Sequence, residues 1–128
     1  MNLLFYSPAK DGVGKQLQAV IESIESPTLE GMEIHRTIGS LSRRLCQATY
    51  NVAVTVILAA TKEDLADALS IKELIWDIRI ILILPDREED TIAKGHTLRP
   101  RFLTYADGNF VDVAAVLHKM LANNEAGL

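Results

Sequence analysis

The chain has a single cysteine, Cys46. That scarcity excludes an intramolecular disulfide and any cysteine-based zinc cluster. With no cross-link to make, Cys46 reads as a small apolar side chain buried in a helix. Aromatic residues are also few, at 5% of the chain, so the core has to be built mainly from Leu, Ile, Val and Ala. No apolar run reaches the roughly 20 residues that a membrane-spanning helix needs. Met1 to Tyr6 are apolar, but no charged segment precedes them and no small-residue cleavage site follows, so they do not read as a secretory leader. A cytoplasmic protein without membrane contact is expected. Positive charge is not in excess: 13 Lys and Arg against 17 Asp and Glu leave a net charge of −4. The signs are interspersed, which makes a broad nucleic-acid surface unlikely on electrostatic grounds and leaves room only for a local basic patch. His35, His96 and His118 fall in different segments without ligand spacing, so neither a metal nor a cofactor is expected. A nucleophile elbow and a Ser-His-Asp pattern are both missing; no catalytic residue is named, and the chain does not read as an enzyme.

What is present describes one α/β domain. At 128 residues, with 48% apolar and 23% charged side chains, the chain is long enough for one real core and close to the globular average. The domain is expected over residues 1–122, with a polar C-terminal tail over 123–128. Short runs rich in Ile, Val and Leu, closed by turn residues, predict strands at Asn2 to Tyr6, Val52 to Ala59, Arg79 to Leu84 and Arg101 to Thr104, with a weaker one at Met32 to Arg36. The runs through Val52 to Ala60 and Ile78 to Leu84 lack polar alternation, as central strands covered on both faces do.

Helical spacing lies between the strands. Leu17, Val20, Ile21 and Ile24 share one face of a first helix. A second begins near Ser40 and uses Leu41 and Leu45. A third begins at Thr61, whose hydroxyl and the carboxylate of Asp64 three residues on form a capping pair, and it presents Leu65, Leu69 and Leu74. A short charged helix runs from Arg87 to about Ala93 and ends near Gly95, with Glu88, Glu89 and Asp90 suited to its positive N-terminal dipole. The last helix uses Val111, Val113, Ala114, Val116, Leu117, Met120 and Leu121. Strand and helix alternating five times predict a five-stranded parallel sheet with helices on both faces, a flavodoxin-like doubly wound fold. Ligands of such sheets collect at the carboxyl ends of the strands.

The length, the five strand-helix units and several local strings resemble the receiver domain of two-component response regulators. Receivers carry an acidic pair after the first strand, a phosphoacceptor aspartate after the third, Ser or Thr after the fourth and Lys-Pro after the fifth. Here the corresponding residues are Tyr6, Ser7 and Pro8; no acid at all from Tyr50 to Lys62; Leu84 and Pro85; and Tyr105 and Ala106. Only Phe102 keeps the family's residue type. Aspartyl phosphorylation requires a carboxylate nucleophile, a divalent cation and a group to receive the phosphoryl oxygens. The resemblance therefore implies a degenerate receiver, a pseudo-receiver with no phosphoacceptor, that signals by protein contact. It further implies a partner surface in the carboxyl-terminal half, about Arg87 to Leu121, with Phe102 and Tyr105 as candidates and a homodimer as one form of contact.

A rival expectation comes from Lys10, Asp11, Gly12, Val13, Gly14 and Lys15, placed between a strand and a helix. Glycines there let backbone amides approach an anion while a lysine reaches its outer oxygens. The string resembles the phosphate loop of the ParA and MinD family, which implies nucleotide or anion binding at Gly12, Gly14 and Lys15, with hydrolysis as its extension. It departs from that family in having Gln16 where magnesium needs Ser or Thr, and Asp11 where a glycine belongs. The structural alternative is a tight strand-to-helix turn with Lys15 in solvent.

Overall fold

A computed structural model describes residues 1–8, 12–27 and 29–126, with the backbone alone for 123–126. Lys10 and Asp11 of the glycine loop and the last two residues of the polar tail lie outside the described residues.

The strands are β1 (Asn2–Tyr6), β2 (Gly31–His35), β3 (Val52–Leu58), β4 (Ile80–Leu84) and β5 (Phe102–Tyr105). They form one sheet in the order β2-β1-β3-β4-β5, and every neighbouring pair is parallel. This is the flavodoxin-like order, with strand direction of growth reversing between β1 and β3. Each of the seven residues of β3 and the five of β4 is buried, as runs without polar alternation require of strands covered on both faces.

Helices α1 (Val13–Glu22) and α6 (Val111–Ala126) cover one face. There Leu17, Ile21, Val113 and Leu117 pack against Leu3, Phe5, Val54, Val56, Ile81 and Ile83. The other face carries α2 (Ile38–Leu45), α3 (Lys62–Ser70), α4 (Lys72–Ile75) and α5 (Glu89–His96). Its core joins Leu41, Leu65, Ala68 and Ile75 to Leu4, Ile57, Leu82 and Leu84. Apart from Val52 and Ala53 at the irregular start of β3, the two clusters are the two side-chain parities of the same strands, which is how a period of two divides one apolar strand between two layers. Full burial of an aliphatic side chain contributes about 1.5–3 kcal/mol, so these clusters dominate the stability.

Local chemistry sets the helix ends. Thr61 accepts from the Asp64 amide at 3.1 Å, and the Asp64 carboxylate accepts from the amides of Ala60 and Thr61, also at 3.1 Å. That is the expected capping pair, complete. Thr37 caps α2, accepting from the Ser40 amide at 3.1 Å, so this helix starts two residues before Ser40. The third helical segment is not continuous: Ile71 leaves helical geometry (φ −115°, ψ 20°), and Leu74 sits on the separate short α4.

Two expectations change. Gly95 does not end its helix; it lies inside α5, where an added Cβ would come within 3.0 Å of Leu84 Cδ2. The glycine lets α5 approach β4 closely, and the helix ends instead at Thr97, whose hydroxyl donates to the Lys94 carbonyl. Cys46 is exposed at the C-cap of α2 instead of being buried within a helix, because Leu41 and Leu45 occupy the inward face. At the carboxyl terminus α6 carries the helix into the polar tail as far as Ala126.

Candidate functional site at the strand carboxyl ends

The reversal point of the sheet sets the carboxyl ends of β1 and β3 side by side, with Tyr6 opposite Ile57. Beyond β1, Ser7 is fully buried; its amide donates to the His35 carbonyl at 3.0 Å, and its own carbonyl accepts from Arg36 Nη1 at 3.1 Å. Beyond β3 come buried Ala59, then Ala60 and the Thr61 cap. The first carboxylates after β3 are Glu63, exposed on the first turn of α3, and Asp64, whose two backbone hydrogen bonds turn it back onto its own helix. Its charge still reaches the Tyr6 phenol, whose pKa is pushed up to about 12 by burial and then by the negative charges of Asp64 and Asp67.

The ends of β4 and β5 carry charges that are matched locally. Asp86 accepts from the Glu88 amide at 3.0 Å, and its pKa is held low by hydrogen bonds from Thr91 and that amide, with Lys62 nearby. Lys62 pairs with Glu88, which raises the lysine pKa. Arg87 stacks over the Tyr105 ring at 4.1 Å and pairs with Asp107 at 3.0 Å. Chemically, this end of the sheet offers capped or paired carboxylates and one aromatic-guanidinium ledge. Among the described residues no three His, Cys, Asp or Glu side chains are grouped to hold a metal.

The glycine loop is divided by the start of α1. Gly12 is the N-cap, with φ 63° in the left-handed region that favours glycine, and no side chain caps the helix. Gly14 is already inside the helix and buried, and Lys15 is exposed on its first turn. Phe102 and Tyr105 are both half-buried but do not form one patch. Three residues apart on a strand, they point to opposite faces: Phe102 packs on the α1 and α6 side, Tyr105 on the side of α2 to α5.

Sequence reasoning missed two charged groupings. On edge strand β2, His35 Nδ1 lies 2.7 Å from Ser40 Oγ, and Glu33 accepts from Arg44 Nε at 3.0 Å. Burial lowers the His35 pKa; the negative charge of Glu33 opposes that shift and Arg44 adds to it. At the other end of the sheet Arg79, Arg101 and Lys119 converge on one cleft. Its signal was present, since Arg79 and Arg101 each stand one residue before a strand and parallel strands begin at the same edge.

Compared with known proteins, the chain matches no family model and no curated protein. Among the described residues no helix is long and apolar enough to cross a membrane.

Proposed function

We propose that this chain is a regulatory domain of receiver type that works by protein contact without phosphorylation, and that a second copy of itself is one of its partners. The observation that carries the reading is the composition of the reversal point. The order β2-β1-β3-β4-β5 brings together the two strand ends where a receiver would hold its acids, and here they end in Tyr6, Ser7, Pro8 and Leu58, Ala59, Ala60. Where the described ends of β1 and β3 carry no carboxylate to accept a phosphoryl group, the surface of the fold is left as the means of signalling. The carboxyl-terminal half supplies one: Arg87 stacked on Tyr105 on one flank of β5, and Val111 at 66% exposure at the start of α6. A stacked guanidinium-aromatic pair and an exposed aliphatic residue are side-chain types found at interface centres.

Two measurements test the two parts. Incubation of the protein with acetyl phosphate and magnesium is expected to leave its intact mass unchanged; an acid-labile phosphoryl adduct would refute phosphorylation independence. Sedimentation velocity over a concentration series should show a reversible dimer that Val111→Asp weakens by about tenfold or more. A strictly monomeric protein at every concentration would refute self-association.

A second reading, nucleotide or anion capture at the α1 N-terminus, draws on Gly12, an N-cap residue of positive φ that has no side chain to cap the first turn. It predicts a saturable thermal stabilisation by nucleotide that Lys15→Ala abolishes; the leading reading predicts none.

A further inference from the structure

The cleft at the amino ends of β4 and β5 is lined by Arg79, Arg101, Val116, Lys119 and Met120 and has a volume of ≈ 310 Å³. It lies at the opposite end of the sheet from the strand carboxyl ends and does not involve Arg87, Tyr105 or Val111, so the inference does not rest on the function proposed above.

Its construction is specific. Arg79 directly precedes β4 and Arg101 directly precedes β5. The Arg101 amide donates to the Ile80 carbonyl at 2.9 Å, which fixes the second backbone against the first. The Arg79 guanidinium is held in place, with Nε and Nη2 donating to the Ala53 carbonyl at 3.1 and 2.7 Å. From the layer above, α6 supplies Lys119, flanked by Val116 and Met120. Among the described residues, neither Arg101 nor Lys119 enters an ion pair. A chain of net charge −4 thus gathers three cations around one concavity. Burial, and then the positive charge of Arg101, push the Arg79 pKa down. Like charges held together by the backbone destabilise a fold unless an opposite charge joins them.

We propose that this cleft binds a phosphate monoester, with Arg101 and Lys119 in direct contact with the phosphoryl oxygens and Val116 and Met120 receiving the ester's apolar part. Arg79, already engaged with Ala53, adds its positive field from a fixed position. A phosphate dianion suits Arg101 and Lys119 together better than a carboxylate does, because one negative charge can balance only one of these two cations. The planar guanidinium also matches two phosphoryl oxygens at once, and the lysine adds a mobile point charge.

The test is a titration of the full-length protein with phenyl phosphate, inorganic phosphate and benzoate at constant ionic strength, followed by amide nuclear magnetic resonance. Constant salt removes the general screening effect. Saturable shifts are expected at residues 101–103 and 116–120, tightest for phenyl phosphate. Arg101→Gln and Lys119→Gln, both at exposed positions, should each weaken binding about tenfold while leaving the thermal midpoint of the unliganded protein no lower. Lys15→Ala should leave binding unchanged. Shifts that do not saturate, that centre on residues 12–15, or that persist at full affinity in both variants would overturn the assignment. Benzoate binding as tightly as phenyl phosphate would overturn the choice of phosphate.

Discussion

Thr55 is fully buried in β3, and its hydroxyl has no hydrogen-bond partner among the described residues. A hydroxyl taken out of water without a partner destabilises the fold, whereas a methyl of the same shape does not. Thr55→Val should therefore raise stability by about 1 kcal/mol, read as a higher urea midpoint with an unchanged slope. His35 is the counterpart on edge strand β2. Its Nδ1 meets Ser40, its Nε2 is buried without a hydrogen bond, and its folded pKa lies below the ordinary 6.5. The unfolded chain then binds the proton more readily, so the stabilisation is complete above pH 6.5 and declines as the pH falls from there towards the folded pKa. The expected result is a thermal midpoint that drops on acidification from about pH 8 to pH 5, with a smaller drop in His35→Asn. An equal drop in both proteins would remove His35 as the cause. Neither residue was singled out for this from the sequence, because an unsatisfied hydroxyl or a desolvated imidazole depends on neighbours from distant segments.

At the level of elements, α5 shows both what periodicity reveals and where it stops. Its charge pattern and approximate span were legible, with Glu89 and Asp90 in the first turn and Lys94 and His96 in the last. The role of Gly95 was not, since a glycine near the end of a helical pattern suggests a stop. What decides is β4 lying against it, with Leu84 Cδ2 at 3.0 Å and Leu82 Cδ2 at 3.3 Å from the place a Cβ would take. Gly95→Val should destabilise the protein by about 2–3 kcal/mol through overpacking of buried leucines. In Gly95→Ala the gain in helix propensity, about 1 kcal/mol, offsets much of the clash. Chemical denaturation of both variants separates the two effects; equal small losses would show that α5 can move away from the sheet. The capping pair at Thr61 was legible because both partners lie within four residues of each other. The Thr37 cap was missed because Gly39 and Ser40, weak helix formers, separate Ile38 from Leu41 and hide the start of the helical pattern.

Across the molecule, the layering was legible because it rests on many residues at once: the two runs without polar alternation became the central strands β3 and β4, and the alternation of strands and helices became a parallel sheet. The position of chemistry was less legible. The sequence directs attention to the carboxyl ends of the strands, where several of the charges prove to be capped or paired, as Asp64, Lys62 and Arg87 show. A cluster of three cations lies at the other end, assembled from three segments that are distant in sequence. Phe102 and Tyr105 illustrate the same limit from the side of the surface. They are neighbours in sequence and alike in chemistry, but strand alternation sends them to different layers.

The interior place of β1 also bears on the order in which the fold can assemble. Its five residues pair with β2 on one side and β3 on the other. During synthesis this strand emerges long before Val52–Leu58 does, so its apolar side chains stay half-matched until β3 arrives. Folding should then close around β1 late and cooperatively, because non-local parallel pairing has to overcome loop-closure entropy before it is stabilised.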